Sequence, residues 1–356
     1  MQPPPLQDRL GRPLGVVRLS LTARCNLNCP YCLPESKDLP GMLGVEERRE
    51  LVAASVDLGA HTLHLTGGEP LLDADLENLI MALQPLRPRL RRIALTSNGQ
   101  LLSAERAKAL RQAGLDSVTL SLDGTDANSV ARMSGRRDGG LVLERVLAAI
   151  EHARSAGFDP TLGGLKLNAV IQRDVNEDQV LPLASLARQR GLELRLIEYM
   201  DVGNRNGWQP DQVLAAATMV SRIHNHWPLE PLEREANATH RRWRYRDGSG
   251  GGGGAGSPVA PPISTIASIS EPFCGDCNRL RITADGLAFA CLFASTGTDL
   301  RPWLRPRPQA AALRLALAEL WHSRSDRYSE ERAELRAKAT SHASLSPHAE
   351  MAYLGG

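Results

Sequence analysis

The chain has 356 residues, 42% of them apolar and 23% charged, with a net charge of +2. That balance supports a sizeable core and carries no global signal for a polyanion such as nucleic acid, so any anion site must be local. Six cysteines are too sparse for a disulfide scaffold, no run is long and apolar enough to span a membrane, and the Pro-rich start lacks the features of a secretory signal; together these point to a reducing, cytoplasmic setting.

Residues 1–15, rich in Pro, Arg and Gly, read as an irregular lead-in. A first strand is expected over 16–21, followed by a cysteine-bearing loop and a helix over 46–58. Strands over 61–65, 92–96, 117–122, 165–171 and 192–197 then alternate with helices over 75–83, 103–113, 141–156, 178–189 and 211–225. Gly114 and Gly157 stand as helix stops. After residue 226 the rhythm breaks. Two prolines fall within 227–231, Arg and Glu crowd 233–246, and 248–257 is nearly all glycine, a composition with little capacity to pack. A strand over 263–269 and a hairpin of 280–282 and 287–291 about Asp285-Gly286 follow, then helices over 309–323 and 329–337 in a charged, otherwise irregular tail.

Six strands alternating with helices specify parallel βαβ units. A closed barrel needs eight, so the pattern fits either a partial barrel or an open doubly wound sheet. In both, the loops after the strands share one functional face. The peculiar residues fall there: three cysteines after the first strand, Gly67-Gly68-Glu69-Pro70 after the second, Ser97-Asn98-Gly99 after the third and Asp123-Gly124 after the fourth.

Cys25, Cys29 and Cys32 stand at C-x3-C-x2-C spacing. Three thiolates are one too few for a closed zinc site, whereas a cubane iron–sulfur cluster held by three leaves one iron open to a ligand. Cys274, Cys277 and Cys291 form a second triplet, again one ligand short. Triplets do not pair internally as disulfides, and one combined zinc site would leave two cysteines over. Two open clusters use all six.

The Gly-Gly pair before Pro70 is common turn punctuation, but its place after a strand suggests a backbone edge against a ligand, with Glu69 free to accept from an ammonium group. Arg18, Lys166 and Arg195 lie in expected inner strands, and Arg279 and Arg281 share one face beside the second triplet. Arg and Lys usually face solvent. Pointing into a barrel mouth instead, they would make a pocket for a polyphosphate, since guanidinium groups match phosphate oxygens bidentately.

The first triplet, with Tyr31 before its last cysteine, and the Gly-Gly-Glu-Pro loop resemble the radical S-adenosylmethionine (radical SAM) signature. The second triplet with Asn278, Arg279, Leu280 and Arg281, the run Arg195 to Gly203, and the terminal Gly355-Gly356 resemble the GTP 3′,8-cyclase family of molybdenum-cofactor biosynthesis. The resemblance covers nearly the whole chain. It implies a lyase with a partial (β/α)6 TIM-type barrel over 1–226 and a C-terminal cluster-binding α+β extension over 227–356. It implies two 4Fe–4S clusters, one on each cysteine triplet. The N-terminal cluster would cleave S-adenosylmethionine, and the resulting radical would take a hydrogen from C3′ of GTP before the sugar closes on C8. The C-terminal cluster would hold the guanine. Tyr31, Gly68, Ser121 and Met200 would contact S-adenosylmethionine. Arg18, His64, Thr96, Lys166, Arg279, Leu280 (through its backbone) and Arg281 would contact GTP, with Gly355 and Gly356 as a tail entering the site. The resemblance further implies a homodimer, an electron donor and a downstream cyclic pyranopterin monophosphate synthase as partners.

Two positions depart from the family pattern. His64 and Asp73 each stand where Arg is usual, which puts one triphosphate contact and the local charge in question. The glycine run over 248–257 resembles a surface insertion. Two other readings are a radical enzyme that uses its auxiliary cluster to mature peptides or cofactors, and a zinc-dependent nucleic-acid-binding module. The first usually carries more C-terminal cysteines. The second sits poorly with a charge of +2 and 4% aromatic residues.

Overall fold

The structure, a computed structural model, describes residues 6–246, 261–339 and 348–355. The glycine run over 248–257 and Gly356 lie outside the described residues. The six expected strands form as β1 (Val16–Ser20), β2 (Thr62–Thr66), β3 (Arg92–Ser97), β4 (Ser117–Ser121), β5 (Leu165–Ile171) and β6 (Glu193–Glu198). They pair in parallel, each with the next. Helices α1 (Val45–Asp57), α2 (Leu76–Ala82), α3 (Ala104–Ala113), α4 (Ala127–Ser134), α5 (Gly139–Ser155), α6 (Val180–Gln189) and α7 (Ala216–His226) fill the connections.

Burial along the strands shows why this sequence curls into a partial barrel. In β5, Leu165, Leu167, Ala169 and Ile171 are buried, while Lys166 and Asn168 alternate with them and line a cavity. One face of the sheet packs leucines and isoleucines under the helices, and the other carries polar side chains into the barrel mouth.

The C-terminal segment does not stand apart. It contributes β7 (Leu229–Pro231), β8 (Arg241–Tyr245), β9 (Ile263–Ile266), β10 (Arg279–Ile282), β11 (Leu287–Phe289) and β12 (Thr298–Asp299) to the same 12-stranded sheet, in the order β12-β11-β10-β1-β2-β3-β4-β5-β6-β9-β8-β7. β9 adds in parallel to β6 and β10 adds in parallel to β1. Both flanks of the parallel core are therefore built from the C-terminal part. The sheet ends in an antiparallel hairpin on each side and does not close. The chain between β9 and β10 carries Cys274 and Cys277. Helices α8 (Ala310–Ser323), α9 (Tyr328–Ala339) and α10 (Met351–Leu354) complete the fold.

Three expectations need correction. The helix expected over 211–225 begins at Ala216, because 213–215 is drawn out straight: Arg173 donates to the Val213 carbonyl, and the Ala216 N–H is held at 2.8 Å by Glu198 Oε1. The strand expected over 263–269 stops at Ile266, where Ile269 N and Ser270 N turn to the other oxygen of Glu198. Helix α4 was not expected at all. Its start is nevertheless marked by Asp126, whose Oδ1 accepts from Asn128 N and Ser129 N.

Candidate functional site

The first triplet sits on the loop after β1, where Cys32 N donates to the Cys29 carbonyl at 3.0 Å. The loop after β2 braces it. Gly68 N donates to Thr22 O at 2.7 Å and Glu69 N to Arg24 O at 2.8 Å. A Cβ on Gly68 would lie 2.1 Å from the Arg24 carbonyl oxygen, so the glycine is needed for backbone to meet backbone as well as to border the cavity. The expectation for Glu69 was wrong. Its carboxylate is fully buried, accepts from Leu71 N, Ser97 Oγ and Asn98 N, and lines neither cavity, so it is turned into the fold and away from a ligand's ammonium group.

Cys25, Cys29 and Cys32 open on a cavity of about 180 Å³, together with Tyr31, Gly68, Ser121 and Met200. Asn98 Nδ2 and Leu27 N donate to Cys25 Sγ at 3.5 and 3.4 Å. Tyr31 donates to Asp123 Oδ2 at 2.7 Å, and burial pushes the Asp123 carboxyl up to about 6. Asn98 and Asp123 were visible only as members of unusual strand-end loops; their position directly after β3 and β4 was the available signal. Burial raises the Cys25 thiol to about 11 and the Cys32 thiol to about 12. A metal centre would have to supply the charge that ionises them.

The second triplet lines an adjoining cavity of about 330 Å³. Thr96, Asn168, Ile197 and Met200 belong to the walls of both cavities. Arg18, His64, Lys166, Arg279 and Arg281 all reach this second cavity, as does Arg195. Leu280 does not line it: its side chain is in the core, in register with Val17 of β1, and only its backbone lies between Arg279 and Arg281. Arg279 Nη2 donates to Cys277 Sγ at 3.5 Å. Burial would raise Cys277, but Arg279 and then Arg324 outweigh it and bring the thiol down to about 6. Cys291 goes the other way, to about 12, because burial dominates there.

Gly355 of the tail reaches two arginines of the larger cavity. Its carbonyl oxygen accepts from Arg18 Nε at 2.9 Å and Arg281 Nη1 at 3.2 Å. Gly355 adopts φ +66°, and a Cβ there would lie 2.4 Å from Thr66 Cγ2. Glu350 anchors α10 by accepting from Asn204 N at 3.1 Å and pairing with Arg205 at 3.3 Å.

The two departures have clear outcomes. Asp73 pairs with Arg48 at 2.8 Å, both side chains nearly buried, and Arg48 also donates to Leu21 O; the acid is compensated within the fold. His64 is uncharged, because burial and then Arg18, Arg195, Arg92 and Arg279 hold its pKa well below the usual value.

Among the described residues no three His, Cys, Asp or Glu side chains converge on a single metal ion. A cubane cluster asks for something else, one thiolate per iron around a shared space. The two cavity walls, with N–H groups aimed at sulfur, fit that requirement.

The sequence profile of the Radical SAM superfamily matches residues 19–187, and that of Molybdenum Cofactor Synthesis C matches 192–330. A GTP 3′,8-cyclase of Synechococcus sp. (strain WH7803) is 56% identical over 99% of both chains. The chain belongs to the GTP 3′,8-cyclase family. A second member, from Synechococcus sp. (strain CC9902), is 56% identical over 98% of both chains. Among solved structures, Streptococcus suis SuiB bound to precursor peptide SuiA overlays with a TM-score of 0.60 at 15% identity, over 88% of this chain and 65% of that one. At that identity the likeness concerns the fold alone. No helix among the described residues is long and apolar enough to cross a membrane.

Proposed function

We propose that this chain is a radical SAM lyase that cyclises GTP to 3′,8-cyclo-7,8-dihydroguanosine 5′-triphosphate, the first step toward molybdopterin. The observation that carries the reading is the wall shared by two thiol-lined cavities: Thr96, Asn168, Ile197 and Met200 face both. A group bound on one side can react with a group bound on the other without diffusing.

A 4Fe–4S cluster with S-adenosylmethionine, held at Cys25, Cys29 and Cys32, supplies hydrogen-abstracting radical chemistry when bound. The chain's own residues do the rest. Tyr31, Gly68, Ser121 and Met200 border the S-adenosylmethionine side. Asn98 and Leu27 steady the Cys25 sulfur through their N–H groups. Cys274, Cys277 and Cys291 hold a second cluster, with Arg279 as the charged neighbour of Cys277. Arg18, Thr96, Lys166, Arg279 and Arg281 bind GTP. Of the described side chains lining the larger cavity, seven are Arg or Lys and only Asp326 is acidic, which supports a polyanionic substrate. His64 offers a neutral hydrogen bond at most. The Gly355 carbonyl holds Arg18 and Arg281 in place for the substrate. An external electron donor, a homodimer and transfer of the product to a downstream synthase belong to this reading on sequence resemblance, and a cytoplasmic setting on composition.

Anaerobic incubation with S-adenosylmethionine, reductant and GTP tests it. The expected result is 5′-deoxyadenosine together with a cyclised guanosine triphosphate. 5′-Deoxyadenosine formed with GTP left intact would instead favour an enzyme acting on another substrate.

A further inference from the structure

The floor of the larger cavity carries a cation that the site described above does not use. Arg92 opens β3, four residues before Thr96 on the shared wall, and both side chains line the cavity. At strand spacing those four residues amount to about 13 Å along the barrel axis side of the sheet. Lys166 and Arg195 stand on β5 and β6, each two residues before a shared-wall residue, Asn168 and Ile197. The three cations therefore lie deeper than the wall at which the sugar must react.

Their acidic partners are few. Glu193 is nearly buried and serves both Lys166 (3.1 Å) and Arg195 (2.9 Å). Asp116 is held bidentately by Arg87 at 2.7 and 2.8 Å. Arg92 itself donates to neutral groups, Ser117 Oγ at 3.1 Å and the Gly163 carbonyl oxygen. Glu193, shared by Lys166 and Arg195, and Asp116, which stands near Arg92 but is already paired with Arg87, leave net positive charge in a half-buried floor, an arrangement that favours a bound anion. His64, on the neighbouring strand, adds no charge to it.

Resting on the GTP reading, we propose that Arg92 is a substrate-binding residue that grips the distal phosphates of the triphosphate, and so sets the preference for a nucleoside triphosphate over a monophosphate. Its planar fork suits phosphate oxygens, and its present partners are neutral groups from which it can turn without leaving a buried carboxylate unpaired. A monophosphate held at the shared wall would not extend to it.

The test is equilibrium binding of GTP and of GMP to the anaerobic, cluster-loaded protein, unsubstituted and as Arg92→Gln and Arg92→Lys. For Arg92→Gln the expected result is a loss of GTP affinity of roughly tenfold to a hundredfold, with GMP affinity changed by less than about twofold. Arg92→Lys should lose a smaller factor, again for GTP only. Intact GMP binding shows that the variant site is folded. Should Arg92→Gln not accumulate as folded protein, the GTP-to-GMP ratio of Arg92→Lys decides alone. Unchanged GTP affinity, or equal losses for both nucleotides, would overturn the proposal and leave Arg92 as a brace between β3 and β4. If the unsubstituted protein shows no preference for GTP, the triphosphate reading of the whole cavity falls, a failure visible before any substitution is made.

Discussion

The two cysteine triplets look alike in sequence and are supported in opposite ways. Cys25, Cys29 and Cys32 are braced by backbone: Gly68 and Glu69 bond to Thr22 and Arg24, and Asn28 N donates to Ser134 O at the end of α4. Cys274 and Cys277 are braced by a buried ion network from distant parts of the chain. Arg12 Nη1 donates to Cys274 O at 2.8 Å and Arg324 Nη1 to Cys277 O at 2.6 Å. Asp8 pairs with both arginines, at 2.5 and 3.5 Å. The first arrangement tolerates little change in loop shape. The second ties the geometry of the loop to charges 262 residues away on one side and 47 on the other, so a single lost partner should loosen it.

The largest expected effect separates the two sites outright. Cys29→Ser should abolish S-adenosylmethionine cleavage, whereas Cys277→Ser should keep cleavage and lose the cyclised product. Iron analysis should give about eight irons in the parent and about four in each variant. Loss of cleavage in both variants would show that the triplets form one unit.

Arg12→Ala should be the most destabilising change outside the cysteines, by ~3–5 kcal/mol in denaturant unfolding, because it leaves Asp8 buried with a poorer partner. Iron should be lost from the second site first. A loss below about 1 kcal/mol would mean that Arg324 alone holds the loop. Gly355→Ala should lower product formation by roughly 10²-fold through a displaced tail, with both clusters retained; the strained φ and the contact with Thr66 make the substitution costly. Unchanged turnover would remove the tail from the chemistry.

The smallest effect is a pH dependence. Burial and the charge of Arg195 bring Lys166 down to about 8, despite Glu193. A lysine lowered in this way is charged below that pH and neutral above it, and a bound triphosphate favours the charged form. GTP affinity should therefore be full below about pH 8 and decline as pH rises further. Lys166→Met should bind more weakly and lose the decline, and a decline that persists in that variant would assign it elsewhere.

The barrel was legible because its signal is local. Alternating strands, glycine stops and cysteine spacing each depend on a few neighbouring residues, and all six inner strands formed where periodicity put them. What was hidden depends on long-range pairing. Residues 8–12 look like an irregular lead-in until Arg12 is seen on the carbonyls of Cys274 and Asp326. β9 and β10 are four-residue strands whose place on the two flanks of the parallel core no local pattern specifies. Glu69 looked available because it follows two glycines after a strand; only the fold shows it turned inward to cap the next loop. Arg92 opens the third strand, and nothing local to it shows that Lys166, Arg195 and Glu193 stand around the same floor.

The shared wall is tested most directly by isotope transfer. GTP deuterated at C3′, incubated anaerobically with the protein, S-adenosylmethionine and reductant, should yield 5′-deoxyadenosine carrying one deuterium. 5′-Deoxyadenosine free of label, formed while GTP is consumed, would contradict the claim that the two cavities bring these atoms together.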